Sequence, residues 1–398
     1  MIKRADLAIL QLGIAATLAG VGIARFAYTP LLPQLVEQGW FSDSQAVYLG
    51  AANLLGYLAG AISAHPLSQR FGSPLLLRLS FAAVFLSFAL CVLPGWFSWF
   101  FFWRFMAGVA GAWLMVLAPS AALAQAPVER RGSIGAMVFA GIGIGAVIAS
   151  SVVPLLIHQS LSVTWVALAI ACLVMVWLGE SGIRRLNWAP SQTQTTAQLD
   201  KRMMWPVWLV ILAYGLDAIA YVPHTLFWVD YLAREQQLGM QAASLQWLIF
   251  GIGACCGPFI AGWSSQRWGI KNALAFAYLA KTSGIVLSLL VVGSALPDFI
   301  SRSLSSFLVG AMIPGVVGLT SALLAEWLGA ANHKKFWGLA TAVFALTQAL
   351  SGYGMSALFV ELGSYQSLYV IAAMIMAAGF VLVACSELSR GKSHETTT

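Results

Sequence analysis

Five ionisable side chains fall inside long apolar stretches of this chain: Arg25, Arg104, Asp217, His224 and Lys281. A charge in hydrocarbon costs several kcal/mol, so each of them marks a place where chemistry is done or where a partner must be waiting. The richest stretch is AYGLDAIAYVPHTLFWVDY, in which Tyr214, Asp217, Tyr221, His224 and Trp228 recur at spacings of 3, 4, 3 and 4. That rhythm puts all five on one face of a helix. A lipid-facing stripe would be apolar, so the face is expected to wall a central pathway; the competing expectation is a self-satisfied polar cluster between helices. Pro223 lies inside the same stretch and cannot donate to the carbonyl four residues back, which leaves a polar site near Ile219 and a bend. Asp217 is the only carboxylate well inside an apolar stretch. Desolvation disfavours its charged form and a neighbouring cation favours it, so its proton can answer to cavity opening or to a bound ligand.

The elements that must position these groups are membrane helices. Of 398 residues 60% are hydrophobic and 9% charged, against about 25% charged in an ordinary soluble domain. The apolar stretches read as twelve spans, at 7–33, 45–67, 75–93, 98–124, 133–157, 163–179, 205–230, 242–264, 272–293, 299–325, 338–360 and 366–386. A net charge of +7 would suit nucleic-acid binding, but the location of the charges argues against it. With the N-terminus inside, sixteen of the 21 basic residues fall on the cytoplasmic side and only Arg234 and Arg302 outside. That asymmetry sets membrane orientation, with both termini cytoplasmic, and no nucleic-acid partner is expected. Lys3 and Arg4 precede an apolar run that is too long for a signal peptide and lacks a small-residue cleavage site. Cys91, Cys172, Cys255, Cys256 and Cys385 lie in apolar helices without metal-ligand spacing and read as small packing residues.

The chain also repeats itself. GAISAHPLSQRFG from Gly60 to Gly72 aligns without gaps on GPFIAGWSSQRWG from Gly257 to Gly269, and the same offset carries Gly56 onto Gly253. Each copy has a small-xxx-small pair that lets helices approach closely, followed by a Ser-Gln-Arg-aromatic-Gly loop. The long polar connection from Glu180 to Met204 separates the copies, giving two six-helix bundles, residues 1–180 and 205–398, around a cytoplasmic linker at 181–204.

Parallel six-helix repeats with basic loops after the second and eighth helices resemble the major facilitator superfamily over the whole chain. Its loop pattern Gly-x-x-x-Asp-Arg-x-Gly-x-Lys/Arg is met by Arg70, Gly72, Gly262, Arg267, Gly269 and Lys271, whereas Gln69 and Gln266 replace the aspartate and His65 the first glycine. Within the superfamily, GIARFAYTPLLP and the Asp217 stretch are similar to the YbfB/YjiJ-type transporters. The resemblance implies an all-α membrane fold of twelve helices, a small-molecule solute and a monomer in the bacterial inner membrane. It implies cytoplasmic gate loops at Gln69, Arg70, Gly72, Gln266, Arg267 and Gly269. Helices one and seven line the cavity in that fold, so Arg25 is expected to hold a substrate carboxylate or to pair with Asp217. Tyr28 and Thr29 share its face, and Tyr214, Tyr221 and Trp228 line the same cavity. Asn53, Tyr57, Gln348 and Ser351 join them by spacing. Arg104 opens RFMAGVAGA, which resembles helix four of proton-coupled members and is expected, with Asp217 and His224, to serve proton coupling; anchoring to backbone carbonyls is its alternative. Lys281, on a helix peripheral in that fold, is expected to snorkel or to make a structural hydrogen bond.

Enzyme readings fail on the residues. The GIGIG run at Gly141, Gly143 and Gly145 lies inside a helix without a preceding strand, so it is helix packing. The phosphate-binding loop GxxxxGK[ST] and the zinc motif HExxH are both missing, and an aspartyl protease would need a second membrane carboxylate. No cofactor is expected. The leading expectation is a proton-coupled secondary transporter of a small, anionic solute working by alternating access. The alternatives are a drug/proton antiporter exporting lipophilic cations with Asp217 as counter-ion, and a membrane sensor that binds without transporting.

Overall fold

The computed structural model describes residues 6–28, 31–157, 159–188, 201–290 and 295–391, and among these the chain is helical with no strand. Twelve long helices are α1 Leu7–Phe26, α2 Asp43–Phe71, α3 Ser73–Ala89, α4 Phe97–Gln125, α5 Val128–Ile157, α6 Leu161–Arg185, α7 Met203–Ala233, α8 Gly239–Trp268, α9 Ile270–Leu287, α10 295–328, α11 330–362 and α12 Tyr365–Gly391. Helices α10 and α11 form one unbroken run, Ala295–Leu362, apart from Gly329, whose φ of 70° turns the chain. The sequence reading allowed twelve residues for that turn and one suffices. Helix α1 ends earlier than expected, at Phe26, and a short helix Leu31–Glu37 follows; Thr29 lies outside the described residues, as does 189–200 of the polar connection.

The sequence repeat has a counterpart in the packing. A Cβ on Gly56 would stand 2.0 Å from the Phe105 carbonyl oxygen and one on Gly60 2.4 Å from that of Val109; on Gly253 and Gly257 the distances are 2.3 Å to Phe307 and 1.9 Å to Ala311. Helix α2 thus meets α4 backbone to backbone as α8 meets α10. Gly179 of α6 packs on the Phe81 ring of α3 as Gly379 of α12 packs on the Tyr278 ring of α9. Gly72 and Gly269 both take φ near 80° at the turns into α3 and α9. The three glycines of GIGIG are contact points: Gly141 and Gly145 of α5 lie against α1, and Gly143 against the Ala254 carbonyl of α8.

Three helices carry π turns: α1 over Leu18–Phe26, α5 over Ile148–Val152, and α7 from Tyr231 onward and over Pro223–Phe227. The last follows from Pro223, which breaks the regular ladder.

Candidate functional site

The five-residue face of α7 is buried throughout. Its members turn to different neighbours, and the π turn at Pro223–Phe227 separates Tyr214, Asp217 and Tyr221 from Trp228. Tyr214 packs at a tilt on Phe344 of α11 and Tyr221 stacks on it, with centroids 4.6 and 5.8 Å away. Tyr221 also meets the Arg25 guanidinium from α1, and Tyr57 of α2 stands beside both, its ring centroid 6.0 Å from the Arg25 Cζ. Arg25, Tyr57 and Tyr221 therefore bring three helices of the two bundles to one place. Gln348 of α11 is buried and its Oε1 has no hydrogen-bond partner.

Asp217 does not pair with Arg25. Its Oδ1 lies 2.5 Å from the Nζ of Lys281 on α9, and both side chains are fully buried. Lys281 is thus no snorkelling residue: at 0% exposure it has no route to a membrane surface, and it finds its anion within the bundle. The ammonium also lies 5.1 Å from the Tyr221 ring centroid, so the ion pair and the Arg25 cluster share that aromatic wall. Sequence reasoning missed the pair because the family resemblance made α9 peripheral; the signal available was a lone lysine in a run with no neighbouring acid.

His224 and Trp228 face the interior of the C-terminal bundle. The His224 Nε2 is 3.1 Å from the Ser305 Oγ and its ring stacks on Trp228, while Trp228 donates to Ser306 at 2.9 Å, which in turn donates to Gln246 at 2.9 Å. The Ile219 carbonyl released by Pro223 accepts from Ser351 at 3.4 Å, so Ser351 is a helix-repair group.

In the other bundle Arg104 is buried and donates from Nη2 to the Ala24 carbonyl at 2.9 Å, one of the free acceptors where α1 ends. Its guanidinium lies 3.7 Å above the Tyr28 ring. Tyr28 therefore serves Arg104 and not Arg25, and Asn53 donates to the Arg104 carbonyl at 3.2 Å, fixing the helix that carries it.

The loop residues Gln69, Arg70, Gln266 and Arg267 are exposed, Gly269 with them, and Arg70 rests on Phe71. Contact between the bundles at this end comes from their neighbours: Trp337 donates to the Met115 carbonyl at 2.9 Å, Lys334 to Ser73 at 3.0 Å, and a Cβ on Gly132 would reach 2.8 Å from the Ser265 Oγ. Small residues and single hydrogen bonds close the end where the family pattern would have used a carboxylate. Among the described residues no group of three His, Cys, Asp or Glu could hold a metal ion.

Two pseudo-symmetric six-helix bundles, with charged and aromatic groups meeting between them, define the major facilitator transporters. Residues 17–384 match the profile of the family described as "Uncharacterised MFS-type transporter YbfB", and the chain belongs to that family. The uncharacterized MFS-type transporter YceJ of Bacillus subtilis is 23% identical over 265 residues, 64% of this chain and 66%, just under two thirds, of that relative's length. The class B tetracycline resistance protein of Escherichia coli is 25% identical over 281 residues, covering 66% of this chain and 67% of that protein. Among solved structures, the Escherichia coli fucose:proton symporter FucP superposes with a TM-score of 0.70 at 14% identity, covering 96% of this chain and 98% of that one. The proton:xylose symporter XylE superposes with a TM-score of 0.72 at 16% identity over 94% of each chain. The protein is a multi-pass membrane protein with the fold of these carriers.

Proposed function

We propose that the protein is a secondary transporter that carries a small anionic organic solute together with protons across the bacterial inner membrane, by rocking residues 1–180 against 205–398 around the linker 181–204. Both termini are cytoplasmic in this reading, and the working unit is a monomer. The observation that carries it is where the buried charges go. Asp217 is neutralised by Lys281, whereas Arg25 and Arg104 meet no carboxylate among the described residues. The interior is left with a positive excess, which favours an anion. Arg25 is the solute contact, since it stands between the bundles with Tyr57 and Tyr221, and Tyr214 and Gln348 extend that wall.

The Asp217–Lys281 pair is the coupling element. While the two lie together their charges hold each other; when solute binding draws α7 away from α9, the carboxylate loses its cation while still buried, burial then favours its neutral form, and Asp217 takes up a proton from the side to which the cavity is open. His224, two turns further along α7, is the next protonatable group on that helix. Export of lipophilic cations would need Asp217 as a free counter-ion, and Lys281 occupies it.

The test is a thermal-shift screen of the purified protein in detergent against matched panels of organic acids and lipophilic cations. A ligand at 100 times its dissociation constant adds about 2.7 kcal/mol. Stabilisation by an acid, lost in Arg25→Gln, is expected; stabilisation by cations alone would overturn the anionic assignment.

A further inference from the structure

The geometry around Arg104 points to a second site: we infer that the N-terminal bundle binds a small inorganic anion of halide size between Arg104, Tyr28 and Trp165. Arg104 is a permanent cation with 1% of its surface exposed, yet it makes one hydrogen bond, from Nη2 to the Ala24 carbonyl. Its Nε and Nη1 have no partner in the protein. The Tyr28 hydroxyl and the Trp165 indole Nε1 are likewise buried and without partners. The side chains that carry these orphans form one cluster, because the Arg104 guanidinium lies 3.7 Å above the Tyr28 ring and the Tyr28 and Trp165 centroids are 6.2 Å apart, with Arg104 on α4, Tyr28 just past the end of α1 and Trp165 on α6. The N–H groups can only donate, and the hydroxyl is free to donate. Such a set, with a fixed positive charge, is unsatisfied until an acceptor of negative charge arrives.

The surroundings choose the kind of anion. Trp165 meets Phe100 edge to face at 5.9 Å and is packed at 5.5 Å against Phe88, and the Cys91 thiol completes the wall beside Arg104. Aromatic edges are positive and suit a polarisable anion. Beyond the Tyr28 hydroxyl none of these groups offers a good acceptor for the hydroxyls of an organic acid, and every side chain of the cluster is almost fully buried. A spherical monovalent ion fits that chemistry. Its charge would cancel that of Arg104 and leave Arg25, among the described residues, as the cation without a counter-ion beside the Tyr57 and Tyr221 wall.

The test uses the full-length protein in detergent at constant ionic strength, with sodium gluconate replaced stepwise by sodium chloride or bromide. We expect a saturable rise in melting temperature, kept in Arg25→Gln and lost in Arg104→Gln. Should Arg104→Gln fail to fold, Tyr28→Phe keeps the ring and removes one orphan hydroxyl, and it should weaken the apparent halide affinity about tenfold. Equal melting temperatures in gluconate and halide would overturn the site, as would an undiminished halide response in both variants. Stabilisation by small carboxylates that depends on Arg104 and not on Arg25 would also overturn the halide assignment, moving the solute's own carboxylate to Arg104. The readout is binding, so it stands apart from whether transport is found.

Discussion

The two bundles share a frame and differ in how they treat charge. The offset of 202 that relates the Phe105 carbonyl to that of Phe307 carries Arg104 onto Ser306. Where the first bundle sets a buried cation on Tyr28, the second sets a serine hydroxyl under the Trp228 indole. Conversely, the offset of 197 that relates Phe81 to Tyr278 carries Lys281 back onto Val84, so the Asp217–Lys281 pair has no counterpart in the first half. Backbone contacts, set by glycine, are held in common by the two halves; the buried ionisable groups are not. In the proposed mechanism the two bodies are alike in the frame that would move and unlike in the groups that would bind and couple.

The largest effect should come from breaking the pair in the second bundle. Lys281→Met leaves a buried carboxylate uncompensated and is expected to cost about 3–5 kcal/mol of stability in a detergent denaturation series, while Asp217→Leu with Lys281→Met should recover most of it. A double variant as unstable as the single would show that the pair is not what holds these helices. Next come the shared contacts. Gly56→Ala and Gly257→Ala each push a methyl into a carbonyl oxygen and should cost about 1–3 kcal/mol, by similar amounts. A large cost in one half only would break the symmetry of the frame.

Smaller effects sharpen the contrast. Arg25→Lys loses the forked geometry and should weaken binding of a stabilising acid by more than about 1 kcal/mol, measured by titration calorimetry. Equal affinity for the acid and its neutral amide would argue against a carboxylate at Arg25. Ser351→Ala removes one long hydrogen bond to the Ile219 carbonyl and should cost about 0.5 kcal/mol. In a Pro223→Ala background that cost should vanish, because the new backbone N–H can satisfy the same carbonyl.

Much of this was legible in the sequence. Charge asymmetry, span lengths and the Gly-x-x-x-Gly repeat depend on local chemistry, and they led to twelve helices in two bundles. Helix α7 was legible as a polar face because a period of 3.6 shows which residues share a side. Partners across helices were not. Lys281 lies 64 residues from Asp217, and nothing local to either tells that α9 crosses α7 at that depth. Tyr28 shares a face with Arg25 by spacing but serves Arg104, since the π turn that ends α1 swings that residue out of register. Helix pairing in lipid follows close backbone approach, so acid and base are brought together by glycines far from them in sequence.

The most direct test of the coupling claim is proton movement in pyranine-loaded proteoliposomes challenged with the organic acid that stabilises the purified protein. The account predicts that the wild type moves protons on addition of the acid, and that Asp217→Asn still binds the acid but moves none. Undiminished acid-driven proton movement in Asp217→Asn would contradict it.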